Sequence, residues 1–146
     1  MKILFCRSRA PLSVLIRWMT WSSWSHVALV TPEGVAYEAT GKGVSKGPIA
    51  HLVSRYQTVE VQEVRIPAPD KVIAFLEAQL GKPYDFSALF GFMFRRDWAE
   101  NDKWFCSELV ASALLDSGIA IVCKPTNRIT PQDLYESTTL RSLATR

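Results

Sequence analysis

The sequence predicts an α+β domain in which a small antiparallel sheet packs against helices. Three observations carry this. Short apolar or alternating runs cluster in the first half of the chain, and three-to-four-residue periodicity governs the segments that follow. The 146 residues, 48% of them hydrophobic, suffice for one core and are too few for two. The expected organisation is therefore a single domain over residues 1–146.

Lys2-Ile3-Leu4-Phe5-Cys6 is a short apolar run, read as a strand buried on both faces, with Cys6 as a packing residue. Pro11 suits the first turn of a helix running to about Trp18. The tract that follows holds Trp18, Trp21 and Trp24, large apolar faces that could wall a pocket or simply fill the core. His26-Val27-Ala28-Leu29-Val30 and Val35-Ala36-Tyr37-Glu38-Ala39-Thr40 read as two strands around a turn at Thr31-Pro32-Glu33-Gly34. Gly41, Gly43, Gly47 and Pro48 mark a connection with little strand character, and residues 49–55 a brief helical turn in which His51 is a surface residue. Thr58 to Ile66 alternates apolar and polar, as a half-exposed strand does. Pro69 opens a helix that Gly81 and Pro83 close. A small, aromatic-rich segment from Ser87 to Phe94 looks helical, and a polar loop leads to Lys103. Beyond Gly118, Ile119 to Cys123 reads as a strand or connector. Thr130, Pro131 and Asp133 signal a short capped helix, and the tail from Thr138 is compatible with an edge strand.

Charge and composition exclude several classes. A formal net charge of +3, with the basic residues scattered, leaves no nucleic-acid footprint. Three cysteines leave one unpaired in any disulfide scheme, and two histidines provide little for a zinc site, so no metal or other cofactor is expected. No stretch approaches the ~20 apolar residues of a membrane span. Val14-Leu15-Ile16 is cut by Arg17 without a cleavage motif, so no signal peptide is read and a cytoplasmic or phage-encoded soluble protein is expected. Oligomeric state is not legible.

Chemistry concentrates at Lys103 to Ala111. Leu109, Val110, Ala113 and Leu114 recur at helical spacing, Gly118 supplies the stop, and Cys106 falls in the first turn. Unpaired backbone N–H groups and the positive end of the helix dipole favour a thiolate at such a position. A buried cysteine that merely packs is the competing reading.

Glu38 is the second unusual residue, a carboxylate in an otherwise apolar strand, where a partner is required. With a three-residue loop Pro32-Glu33-Gly34, Thr31 opposes Val35 and Ala28 opposes Glu38. His26 and Glu38 then lie diagonally on one sheet face, within reach of each other. A two-residue loop would turn Glu38 to the opposite face and lose the pair.

Taken in order, Ser25-His26-Val27-Ala28, Tyr37-Glu38-Ala39, Leu80-Gly81-Lys82-Pro83-Tyr84-Asp85 and Phe105-Cys106-Ser107-Glu108-Leu109-Val110 resemble the circularly permuted branch of the NlpC-type, papain-like cysteine hydrolases, the YiiX-like group. Ile129 to Leu134 is similar to that branch's ending. The resemblance spans roughly residues 25 to 136 and implies a permuted papain-like fold. It implies Cys106 as nucleophile, His26 as base, Glu38 as the residue orienting the imidazole, and Tyr84 beside the substrate or oxyanion. A Cys-His pair oriented by a third polar group agrees with the physical reading, and the Cys106 backbone N–H is a natural oxyanion donor. The sequence departs from the unpermuted enzymes where Trp104-Phe105 replace a Gly-Gly and an Asp before the cysteine.

The activity so implied is hydrolysis of an amide bond through an acyl-enzyme, with a peptide, cell-wall peptide or isopeptide as substrate. An acyltransferase, thioesterase or lipase of the lecithin retinol acyltransferase-like type is the alternative. Phe105-Cys106-Ser107-Glu108-Leu109 lacks that group's second histidine, while the tryptophan tract and Phe90, Phe92 and Phe94 suit an acyl chain. A binding module that lost activity is a third reading, against which the intact Cys, His and Glu argue.

Overall fold

The computed structural model describes residues 1–87, 102–121 and 123–143. Five antiparallel strands form one sheet: β1 (Lys2–Arg7), β2 (His26–Val30), β3 (Val35–Thr40), β4 (Gly43–Pro48) and β5 (Thr58–Glu63), in the order β4-β3-β2-β1-β5. Helices α1 (Pro11–Thr20), α2 (Ile49–Val53), α3 (Pro69–Gln79), α4 (Cys106–Asp116), α5 (Pro131–Glu136) and α6 (Thr138–Leu143) complete the described elements, with a 3₁₀ turn at Thr126–Arg128.

The central strands are apolar throughout because both sheet faces are covered. One face carries Ile3, Phe5, Val27, Leu29, Tyr37 and Ala39 into the main core, where Val72 and Leu76 of α3 and Leu109, Val110 and Leu114 of α4 meet them. The opposite face carries Leu4, Cys6, Ala28, Val30 and Ala36 into a smaller cluster closed by Leu52 of α2, with Ile49, Tyr56 and Val59 at its margin. The β2–β3 register is the one that needs the three-residue loop: Leu29 pairs with Tyr37, Val30 with Ala36, and Thr31 N–H donates to the Val35 carbonyl at 2.9 Å. Gly34, at φ 84°, makes that turn possible.

Two elements depart from expectation. Gly43–Pro48 forms a full strand, paired from Val35↔Pro48 to Thr40↔Gly43, because the edge of β3 supplies the backbone partners that weak local propensity does not. The tail forms α6 instead of an edge strand; Arg65 N–H donates to the Leu143 carbonyl, and Leu140 is fully buried. Ile119 to Ile121 is a connector without strand structure, held by Ile119 N–H on the Leu114 carbonyl. The helix and loop expected over 88–101 lie outside the described residues.

Gly43 positions the site. A Cβ there would sit 2.7 Å from the Lys82 carbonyl oxygen, and its φ of 99° disfavours any other residue. The close approach lets Val44 N–H donate to Lys82 O and Gly81 N–H to Val44 O, docking the segment that leads into Tyr84.

Candidate active site

Cys106 opens α4, 1% exposed, behind the extended residue Phe105. Phe105 has no side-chain acceptor, so the helix start is capped from within, by Glu108, whose carboxylate accepts the Phe105 N–H at 3.4 Å. Burial pushes Glu108 up to about 7 against that hydrogen bond, with nearby Asp85 adding to the rise. Ser107 donates to the Ile129 carbonyl at 2.5 Å, which ties the same turn to the segment before α5. The Cys106 N–H, in the first turn, has no intrahelical acceptor.

His26 begins β2 directly opposite Cys6 on β1, and so belongs to the sheet face that α2 covers. Glu38 shares that face. The two meet through His26 Nε2 and Glu38 Oε2 at 2.8 Å, both side chains about nine-tenths buried. The β2–β3 ladder is confined to the two pairs nearest the turn, so the strands part towards His26 and Glu38. There the first turn of α4 comes in, and the Cys106 thiol lies close enough to His26 to raise the pKa of the imidazole. With Nε2 on Glu38, Nδ1 is the ring nitrogen left for the sulfur.

The electrostatics follow from this sandwich. Burial alone would lower His26, but its interactions with Cys106 and then Glu38, and the charges behind them, raise it from 6.5 to about 9. Burial would raise Glu38, but the hydrogen bond and charge of His26, and then Arg55, hold it below the usual carboxylate range. Arg55 Nη2 pairs with Glu38 Oε1. Tyr56 stacks on the His26 imidazole, ring centroids 5.4 Å apart and planes 9° from parallel. Sequence reasoning missed both residues. They follow a five-residue helix with no local mark of function, and only packing brings them to the imidazole.

Tyr84 is tied to the residues before the cysteine: Trp104 N–H donates to Pro83 O at 3.0 Å and Asp85 N–H to Trp104 O at 3.1 Å. Its ring packs on Phe86 and Phe105. Burial, reinforced by nearby Cys106, raises its phenol strongly. A pocket of about 230 Å³ opens beside the imidazole, lined among others by Leu12, Ile16, His26, Tyr56, Tyr84 and Phe86. The tryptophan tract does not form its wall. Trp24 lies in the core against Phe5 and Tyr135, while Trp18 and Trp21 face solvent. Leu12 and Ile16 of α1 supply the apolar lining instead. Cys6, the expected packing residue, is fully buried, and burial pushes its thiol up to about 12.

A thiol at a helix N-terminus, beside an imidazole that a carboxylate holds through its other nitrogen, is the arrangement used by cysteine hydrolases. The chain belongs to a family of that class: the model of the permuted papain-like amidase enzymes, the YaeF/YiiX or C92 family, matches residues 2–143. It is thus a cysteine peptidase or amidase-type hydrolase with the permuted papain-like α+β fold. Among solved structures, yiiX from Escherichia coli O157:H7, described as a metalloprotein, superposes with a TM-score of 0.72 at 23% identity. The match covers 99% of this chain and 93% of that one. No curated protein matches the sequence. Among the described residues of this chain, no group of three or more His, Cys, Asp or Glu side chains is arranged to hold a metal ion. No described helix is long and apolar enough to cross a membrane.

Proposed function

We propose that the chain cleaves an amide bond whose acyl side is apolar, with Cys106 as nucleophile, His26 as acid and base, and Glu38 as the positioning carboxylate. The observation that carries this is a buried His26–Glu38 hydrogen bond beside the Cys106 thiol, at a helix N-terminus next to an apolar pocket. Cys106 Sγ attacks the carbonyl carbon as its proton passes to His26. Negative charge then collects on the carbonyl oxygen, where the Cys106 N–H and the Tyr84 hydroxyl are available as donors. No described residue holds the Tyr84 hydroxyl in a hydrogen bond. His26 returns the proton to the leaving nitrogen, and the C–N bond breaks to leave a thioester on Cys106. Water, deprotonated by His26, attacks that thioester, releases the acid and restores the thiol.

Glu38 orients the ring through Nε2 and stabilises the imidazolium, while Arg55 keeps the carboxylate ionised and Tyr56 fixes the ring plane. The apolar pocket also suits an acyl ester or thioester, which the same steps would cleave with oxygen or sulfur as leaving group. Intact-mass analysis with electrophilic acyl and peptidyl probes, on wild type and Cys106→Ala, tests both. The expected result is one adduct on wild type and none on the variant, with peptidyl amides turned over. An adduct that persists in Cys106→Ala overturns the assignment. Turnover of acyl esters without any amide or peptide substrate would reverse the order of the two substrates.

A further inference from the structure

The outward side of α1 is apolar where solvent should favour polar residues. Leu12, Val14 and Leu15 are exposed, Trp18 is 69% exposed, and Trp21 is 91% exposed. Only Arg17 carries a charge on the helix. Trp21 ends α1 in the left-handed region, at φ 53°, a conformation a bulky side chain adopts only under strain. Strain that holds an indole in water points to a use for the indole.

A polar hollow of about 260 Å³ adjoins the helix, lined by Arg7, Ser8, Arg9, Arg17, Gln57 and Thr58. Three arginines line it, the Arg7 guanidinium lying over the Trp24 ring, and among the described residues none of the three is paired with a carboxylate. Arg17 Nε is buried with no hydrogen-bond partner, and its Nη2 makes only a 3.5 Å contact with the Ser8 carbonyl. Residues 1–32 contain Lys2, Arg7, Arg9 and Arg17 and no Asp or Glu. An apolar ridge with indoles at its end, flanked by arginines without a carboxylate partner, matches the two layers of an anionic membrane surface: acyl chains below, phosphates above.

We propose that α1 docks on a bilayer containing anionic phospholipid, with Trp18 and Trp21 at headgroup level and Arg9 and Arg17 taking lipid phosphates. Leu12 belongs both to this ridge and to the lining of the pocket beside His26, so docking brings the pocket mouth to the lipid surface. Helix spacing explains the division: Leu12 and Ile16 turn towards the pocket, Arg17 towards the hollow, and Val14, Leu15 and Trp18 point outward between them.

The test is vesicle sedimentation with the full chain carrying Cys106→Ala, so binding is read without turnover and independently of the proposed chemistry. Vesicles of phosphatidylcholine are compared with vesicles of phosphatidylcholine and phosphatidylglycerol. The expected result is salt-sensitive binding to the anionic vesicles, weaker by about fivefold in Arg9→Gln and by about tenfold in Trp21→Gly. Trp21→Gly keeps the fold, since glycine suits the positive φ, so its loss of binding cannot be ascribed to unfolding. Failure to bind either vesicle, or binding that Trp21→Gly and Trp18→Ser leave unchanged, overturns the proposal. So does a dimer that Trp18→Ser dissociates in a protein that ignores vesicles, or binding of inorganic phosphate alone.

Discussion

Replacing Cys106 with Ala should change the protonation of a residue on another element. His26 is held at about 9, and its interaction with Cys106 is the largest of those that raise it against burial. The rise from 6.5 corresponds to about 3 kcal/mol of preference for imidazolium in the folded chain. Removing the sulfur leaves burial opposed by Glu38 alone, so the His26 midpoint should move acidward by roughly one pH unit or more. The chain has two histidines, so two imidazole resonances report by NMR, and exposed His51 serves as the internal control. The linkage has a definite sign. A group whose folded pKa is raised stabilises fully below its unfolded value, and the stabilisation fades as pH rises through the folded value. Wild type should therefore lose up to about 3 kcal/mol, relative to His26→Gln, between pH 6.5 and 9. A His26 midpoint near 6.5 in wild type, or one that Cys106→Ala does not move, would refute the thiol–imidazole coupling.

Glu38→Gln should reduce turnover by about 100-fold or more, because the amide holds the ring without stabilising its charge; turnover within a few-fold of wild type would remove Glu38 from the site. Because Glu38 is held below the usual carboxylate range, its contribution is present above about pH 4.5 and lost as pH falls through its folded value. The acid limb of a denaturant-stability profile should therefore flatten in Glu38→Gln. A small alkylating agent should modify Cys106 in wild type and much more slowly in His26→Ala, while exposed Cys123 reacts equally in both and Cys6 stays protected; peptide mapping reads all three. Tyr84→Phe should lower kcat by about tenfold or more with little change in thermal midpoint if the hydroxyl donates to the oxyanion. Trp21→Gly should raise unfolding stability by about 1 kcal/mol by relieving the left-handed cap, and a decrease would show that the indole contributes to the fold.

The sequence by itself determined the features that depend on neighbours a few residues apart. Pro11, Pro69 and Pro131 stand in the first turns of their helices, and Thr130 caps Asp133 as its spacing requires. The position of Cys106 at the start of α4 is equally local. Two-residue alternation puts His26 and Glu38 on one face only if the loop has three residues. The sequence allowed two or three, and the Leu29↔Tyr37 pairing of the folded sheet selects three. Only the tertiary structure decided what meets across the chain. Arg55 and Tyr56 reach Glu38 and His26 because α2 folds over that sheet face, and nothing in Ile49–Tyr56 announces it. The tryptophans divide in the same way: Trp24 is drawn into the core by Phe5 and Tyr135, whereas Trp18 and Trp21 stay in water. Gly43–Pro48 became a strand because β3 offered an unpaired edge, and the tail became a helix because Leu140 could be buried. Local preference is worth a fraction of a kcal/mol per residue, and burying a leucine or pairing a carboxylate outweighs it. Burial and pairing depend on partners distant in the chain, and chain order does not reveal them.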